Sequence, residues 1–205
     1  KIQDAFADAV GVASLITAPD GSPLTQPSNF CRFCHMVRNT GSGALSCQNS
    51  DFHLGNLSRE KGLAYQKCLS TGMTDACATI YAGDRVIALW LIGQVFIGSE
   101  DRESILLNAV DHGLEAGEAA AALSEVNTIP AERFERAIEA LRLIASQLSV
   151  AALHNLQLAK YLAERRVTAR KMASSIRLLH RRQNALSEML AYPGDRVFDL
   201  GELVK

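Results

Sequence analysis

The chain has 205 residues, 48% hydrophobic and 21% charged, with a formal net charge of −1. That is enough for one packed domain of about 100–150 residues with an appendage, and it excludes wholesale disorder. The near-neutral charge offers no basic face for nucleic acid, and no apolar run reaches the ~18 residues of a membrane span, the best, Val86 to Ile97, being broken by Gly93 and Gln94. No signal peptide is read in the sequence and it begins at Lys1, so the chain is expected to be a piece of a larger protein whose other domains stay open. Five cysteines, an odd number, do not suit a secreted disulfide scaffold; the expected setting is the cytoplasm, with thiols reduced or metal-bound.

From the start, Gln3 to Val10 spaces apolar residues as a short amphipathic helix, and Ala13 to Thr17 reads as a strand. Pro19-Asp20-Gly21-Ser22-Pro23 is a turn, because Asp and Gly tolerate the backbone angles of a tight reversal. Cys31 to Asn39 allows one or two helical turns ended by Gly41-Ser42-Gly43. A second helix is expected over Leu45 to Lys61, stopped by Gly62, with Gly55 as its weak point. Ala78 to Ala82, a Gly83-Asp84 turn and Arg85 to Ile97 form a hairpin, whose second strand is apolar enough to need cover on both faces. An antiparallel sheet flanked by helices follows, an α+β architecture of the PAS- or GAF-like kind.

Past Pro130 the character changes. Ala131 to Tyr192 lacks both glycine and proline, and Phe134, Ile138, Leu141, Ala145 and Leu148 step by 4, 3, 4, 3 like a heptad seam. Met172, Ile176 and Leu179 continue a stripe in the more polar second half. One long helix that pairs with a second copy in a parallel dimer is expected; two helices folded back as a hairpin is the alternative. The division is therefore a sensory domain over 1–129, a signalling helix over 130–192 and a linker over 193–205.

The chemistry-bearing residues are cysteines, spaced C-x2-C-x12-C-x20-C-x8-C from Cys31 through Cys34, Cys47 and Cys68 to Cys77. Residues three apart share one side of a helical turn, and converging thiolates suit tetrahedral zinc or an iron–sulfur cluster. The expected ligands are Cys31, Cys34, Cys47 and Cys68, with Cys77 as alternate. Cys31-x-x-Cys34-His35 also matches the attachment motif of c-type haem. The plain alternative is that each cysteine is a small buried hydrophobe. Trp90 and Gln94 share the apolar strand: the indole is either core or ligand wall, and the amide must either tie down a loop or read a ligand hydroxyl. Asp51 falls one helical turn after Cys47 and is either a surface charge or part of a ligand site. No Ser-His-Asp order, glycine-rich phosphate loop or placed carboxylate pair points to catalysis.

Ser28-Asn29-Phe30, Phe33-Cys34, Cys47-Gln48-Asn49-Ser50-Asp51, Tyr65-Gln66-Lys67-Cys68, Gly72-Met73-Thr74-Asp75 and Gly93-Gln94-Val95 follow one another in an order that resembles the PocR sensory domain family across about residues 3–110. The resemblance implies a PAS-like sensor of small hydrocarbon derivatives such as propanediols, attached to a regulatory or signalling output, and not an enzyme. It carries Cys34, Cys47, Cys68, Asp51 and Gln94 over by position. Leu69 stands where the family has His, the steps from Tyr65 to Cys68 and from Cys68 to Gly72 are each one residue longer, and Cys31 and Cys77 are extra. The expected function is thus a small-molecule input domain, with a redox or gas sensor, or a metal-stapled dimerisation module, as alternatives.

Overall fold

The computed structural model describes residues 1–98 and 100–190. In chain order these form α1 (Ile2–Val10), β1 (Ala13–Thr17), α2 (Arg32–Arg38), α3 (Gly41–Lys61), β2 (Leu63–Lys67), β3 (Thr74–Ala82), β4 (Arg85–Val95), α4 (Arg102–Asp111), α5 (Ala116–Ser124) and α6 (Ala131–Leu190). The strands make one antiparallel sheet in the order β1-β4-β3-β2. This is the expected α+β architecture. Tyr192 and the linker expected over 193–205 lie outside the described residues.

Strand alternation divides the core, since successive side chains leave a strand on opposite faces. On one face Ala76, Ala78 and Ile80 of β3 and Ala88, Trp90 and Ile92 of β4 pack with Phe6 of α1 and with Phe134, Ile138 and Leu141 of α6. On the other, Cys77 and Leu89 pack with Leu54 of α3 and Ala64 of β2. A third cluster, around Phe33, Met73, Phe96 and Leu123, fills the space among α2, α4 and α5. The apolar β4 is covered on both faces, as its composition demands.

α3 begins four residues earlier than expected, so the glycines read as ending α2 instead open the next helix. Thr40 caps it, its Oγ1 accepting from the Gly43 N–H at 3.0 Å. A Cβ on Gly43 would sit 2.2 Å from the Val37 carbonyl oxygen, so only glycine lets the two helices turn so tightly. Gly55, the expected weak point, lies under β4, where an added Cβ would come within 2.9 Å of Leu89. Gly62 ends α3 with φ 78°, as read. Three elements had no expectation: β2, α4 and α5.

Residues 131–190 form one helix rather than a hairpin. Its start belongs to the compact unit Lys1–Asn155. The seam from Phe134 to Ala145 is buried against the sheet, with Leu141 at 0% exposure, so this stretch already has its partner face within the chain. From Leu156 to Glu188 every side chain is exposed. Among the described residues no helix is long and apolar enough to cross a membrane.

Truncating Leu141 removes a fully buried side chain from the sheet–α6 contact. Leu141→Ala should lower unfolding free energy by about 2–5 kcal/mol in urea titration, whereas Leu107→Ala, exposed on α4, should stay within about 0.5 kcal/mol.

Candidate functional site

One pocket collects most of the residues that the motifs single out. It lies between the β1–β4 end of the sheet and helices α2 and α3, has a volume of about 30 Å³, and is lined by Cys34, Cys47, Asp51, Cys68 and Gln94 together with Phe30, Arg38, Thr71 and Asp75. A wider cleft of about 570 Å³, walled by the Pro19–Pro23 turn, Gln48, Asn49, Phe52 and Arg59, shares Leu15, Arg38, Asp51 and Leu91 with it. The shared wall is an ion pair: Arg38 Nη2 donates to Asp51 Oδ2 at 2.8 Å. Burial opposes the Arg38 charge, but the Asp51 carboxylate outweighs it and raises the guanidinium pKa further. Burial also raises the Asp51 carboxyl, with Arg38 pulling it back. The guanidinium stands 5.5 Å from the Phe30 ring centroid.

The floor of the pocket is a break in the β3–β4 ladder. Thr74 pairs with Val95 and Ala76 with Ile92, so Gly93 and Gln94 together face Asp75, a bulge of one extra residue. An added Cβ on Gly93 would lie 2.1 Å from Asp75 Oδ1, so this approach requires glycine. Gln94 takes φ 57°, a left-handed conformation that non-glycine residues rarely hold. Its N–H donates to Asp75 Oδ1 at 2.9 Å, and its side-chain Oε1 accepts from the Cys31 N–H at 2.9 Å. Gln94 therefore ties the loop before α2 to the bulge, which is the loop-tying role open to it from the sequence.

The comparisons with known proteins bear on the domain as a whole. The chain matches the family described as "Sensory domain found in PocR" over residues 1–153. It belongs to the PocR sensory domain family. It is 27% identical over 147 residues to "Regulatory protein PocR" of Salmonella typhimurium (strain LT2), a match covering 70% of this chain and 46% of that protein. The chain thus spans less than half the length of that relative. No solved structure matches.

Within this PocR domain the remaining candidates are placed as follows. Trp90 is fully buried on the α1–α6 face, edge-on to Phe6 at 5.7 Å, its Nε1 donating to Ser14 Oγ at 2.8 Å; it lines neither cavity. Cys77 sits in the cluster under α3, its thiol pushed up to about 12 by burial. Cys31 caps α2, its Sγ accepting from the Cys34 N–H at 3.4 Å. Cys47 Sγ donates to Ser70 Oγ, and Cys68 Sγ accepts from Ser50 Oγ, both at 3.4 Å. The thiols on the pocket wall are held protonated: a hydrogen bond to Cys31 and burial raise Cys34 well above the ordinary thiol value, burial raises Cys47, and burial with the nearby Asp75 pushes Cys68 up to about 11. Cys31 moves the other way, its thiolate favoured by the bond from Cys34.

This arrangement does not fit a zinc or iron–sulfur centre. Such a centre needs several thiolates aimed at one point, but Cys47 and Cys68 are bonded to serines and Cys31 to the Cys34 amide, and among the described residues no group of three or more His, Cys, Asp or Glu side chains is placed to hold a metal ion. Nor does it fit covalent haem, since Cys34 is 4% exposed beside a pocket of about 30 Å³. Asp75 and Arg38, by contrast, are site residues that the sequence reading passed over. Asp75 stood inside the Gly72-Met73-Thr74-Asp75 motif, which was the available signal. Arg38 had none, because its role comes from α2 lying beside α3.

Thiol chemistry tests this placement. Cys31, partly buried but more open than Cys34, Cys47 and Cys77 and tilted toward thiolate, should react first with iodoacetamide at pH 7.5, and those three at least about tenfold slower until the protein is unfolded, as read by mass spectrometry of timed samples. Stoichiometric zinc or iron in the same preparation, with Cys31 protected, would show that the thiols re-aim around a metal.

Proposed function

We propose that this PocR domain is the input module of a regulatory protein, binding a small neutral hydroxylated molecule of two to four carbons in the inner pocket and relaying occupancy to α6. The observation that carries the reading is the convergence of Cys34, Cys47, Asp51, Cys68 and Gln94 on one pocket whose floor is the strained bulge. A sensor needs a site and a mechanical link, and the path from the bulge to α6 supports the second.

The link is short. One residue beyond the bulge strand, Phe96 bridges to Thr128 in parallel, its N–H donating to the Asn127 carbonyl at 2.9 Å and its carbonyl accepting from the Ile129 N–H at 2.8 Å. Pro130 follows, and its carbonyl accepts from the first amides of α6. A shift of the Gly93–Gln94 bulge therefore acts on the root of α6 through two backbone hydrogen bonds. The pocket volume supplies the reason for a shift: about 30 Å³ is well below the ~150 Å³ cavity that admits benzene. A diol must open the walls, so it favours the opened state by its own binding free energy.

The exposed part of α6 fits the second half of the reading, pairing with another copy. Leu158, Leu162, Arg165, Ala169, Met172, Ile176, Leu179, Gln183 and Leu186 follow at steps of 4 and 3, an a/d seam interrupted by two polar positions. Phe134 to Ala145 is used inside the chain, so Leu158 to Leu186 is the stretch that a parallel partner would cover.

Two measurements test this. Calorimetry and thermal shift with ethanediol, 1,2-propanediol, glycerol and butanediols should find one binder that stabilises the fold by about 2.7 kcal/mol at a hundredfold excess over its Kd, with Gln94→Ala weakening it at least tenfold; no binding by any of them sinks this ligand class and favours a structural dimerisation module. Light scattering at micromolar concentration should give a dimer that Leu162→Glu with Ile176→Glu converts to a folded monomer; a wild-type monomer throughout removes the pairing.

A further inference from the structure

We propose that Asp75 reads the ligand's hydroxyl as an uncharged carboxylic acid, so that the inner pocket accepts neutral hydroxylated molecules and rejects short carboxylates of the same size. The inference rests on the small-ligand reading above and names the group that sets its specificity.

The geometry comes first. Asp75 leaves β3 on the α2–α3 face, opposite to Ala76, and stands on the pocket wall. One oxygen is committed to the Gln94 N–H at 2.9 Å. No cation pairs with it among the described residues: Arg38, the cation on the same wall, is bound to Asp51 at 2.8 Å. The other groups facing it are the thiols of Cys34 from α2, Cys47 from α3 and Cys68 from the β2–β3 connection, all held protonated. β1 contributes only Ala13, Ser14 and Leu15, and β4 only Leu91, Ile92, Gly93 and Gln94, with no charge. A carboxylate placed there has the Gln94 amide and the Cys68 thiol as donors but no paired counter-ion, and in a confined site the ionised form is the costly one.

Burial accordingly lifts the Asp75 carboxyl to about 7, the Asp51 charge adding to it and the Gln94 N–H, the Cys68 thiol and the Arg38 charge opposing. A protonated acid carries one donor and retains acceptor capacity, which is the complement of an alcohol. A carboxylate ligand would instead bring a second charge beside Asp51 and displace the water that a partly ionised Asp75 needs. The sign of the linkage follows. Ligand removes the remaining water from the carboxyl and so favours its neutral form; affinity is full below pH 7 and falls as pH rises through and above it, by up to about tenfold per unit.

The test uses the 205-residue chain, with 1,2-propanediol and lactate as matched probes, by calorimetry at pH 6, 7 and 8.5. The expected result is diol affinity falling on the order of tenfold between pH 7 and 8.5, lactate at least tenfold weaker at pH 7, and Asp75→Asn binding the diol within threefold of wild type with a flat pH profile. Near-UV circular dichroism establishes that the variant is folded. Diol binding that ignores pH in the wild type, or a folded Asp75→Asn that no longer binds, overturns the neutral-acid role and leaves the small-ligand reading standing. Binding of neither probe at any pH overturns both.

Discussion

Two atoms 2.9 Å apart, the backbone nitrogen of Gln94 and Oδ1 of Asp75, set the geometry on which the rest of the molecule depends. The bond exists because β4 carries one residue too many opposite Asp75, and the bulge turns the Gln94 amide out of the ladder and toward a carboxylate. Gly93 allows the close approach, Gln94 bears the left-handed backbone, and its side chain then reaches the Cys31 N–H on the far side of the pocket. A strained residue persists only where its surroundings over-determine it, and here the bonds on its amide and its side chain do so. Remove them and the pocket loses its floor, α2 its anchor and β4 its path to Phe96.

The two faces of the sheet carry different duties. The α1–α6 face is mostly apolar, with Trp90, Phe134 and Leu141 at or below 2% exposure, and supplies the larger part of the hydrophobic free energy that holds the domain together. The α2–α3 face gives up part of that to carry an ion pair, a carboxyl and three thiols around a pocket. Because Phe134, Ile138 and Leu141 are part of the stable face, the start of α6 is not an attachment to the domain but one wall of its core. β4 has one face in each layer, and so touches both the bulge and the residues packed on α6.

Much of this was legible beforehand. β1 and the Gly62 stop stand where alternation and glycine place them, and α1 and the β3–β4 hairpin within a residue or a few, because strand period and chain reversal are local properties. The start of α3 was misread because glycines usually break helices; the Thr40 cap and the contact of Gly43 with the Val37 carbonyl reverse that, and the contact appears only once α2 is folded. β2 was missed as an edge strand with Tyr65 and Lys67 exposed, where little apolar pattern survives. The Phe134–Ala145 seam was readable as a seam, but whether a sheet or a second copy covers it is not written in the spacing.

The same division holds at the site. The sequence by itself determined the family order of short motifs, hence which of Cys34, Cys47, Asp51, Cys68 and Gln94 should matter, and it determined the apolar β4 that demands two covering layers. Only the tertiary structure decided that these residues surround one pocket, that Trp90 belongs to the opposite face, and that Arg38 and Asp75 complete the wall. The physical reason is that hydrogen-bond partners and burial are properties of neighbours in space. A thiol becomes a ligand or stays protonated, and a carboxyl an anion or an acid, according to what other elements place within about 3–4 Å of it, and no spacing along the chain records that.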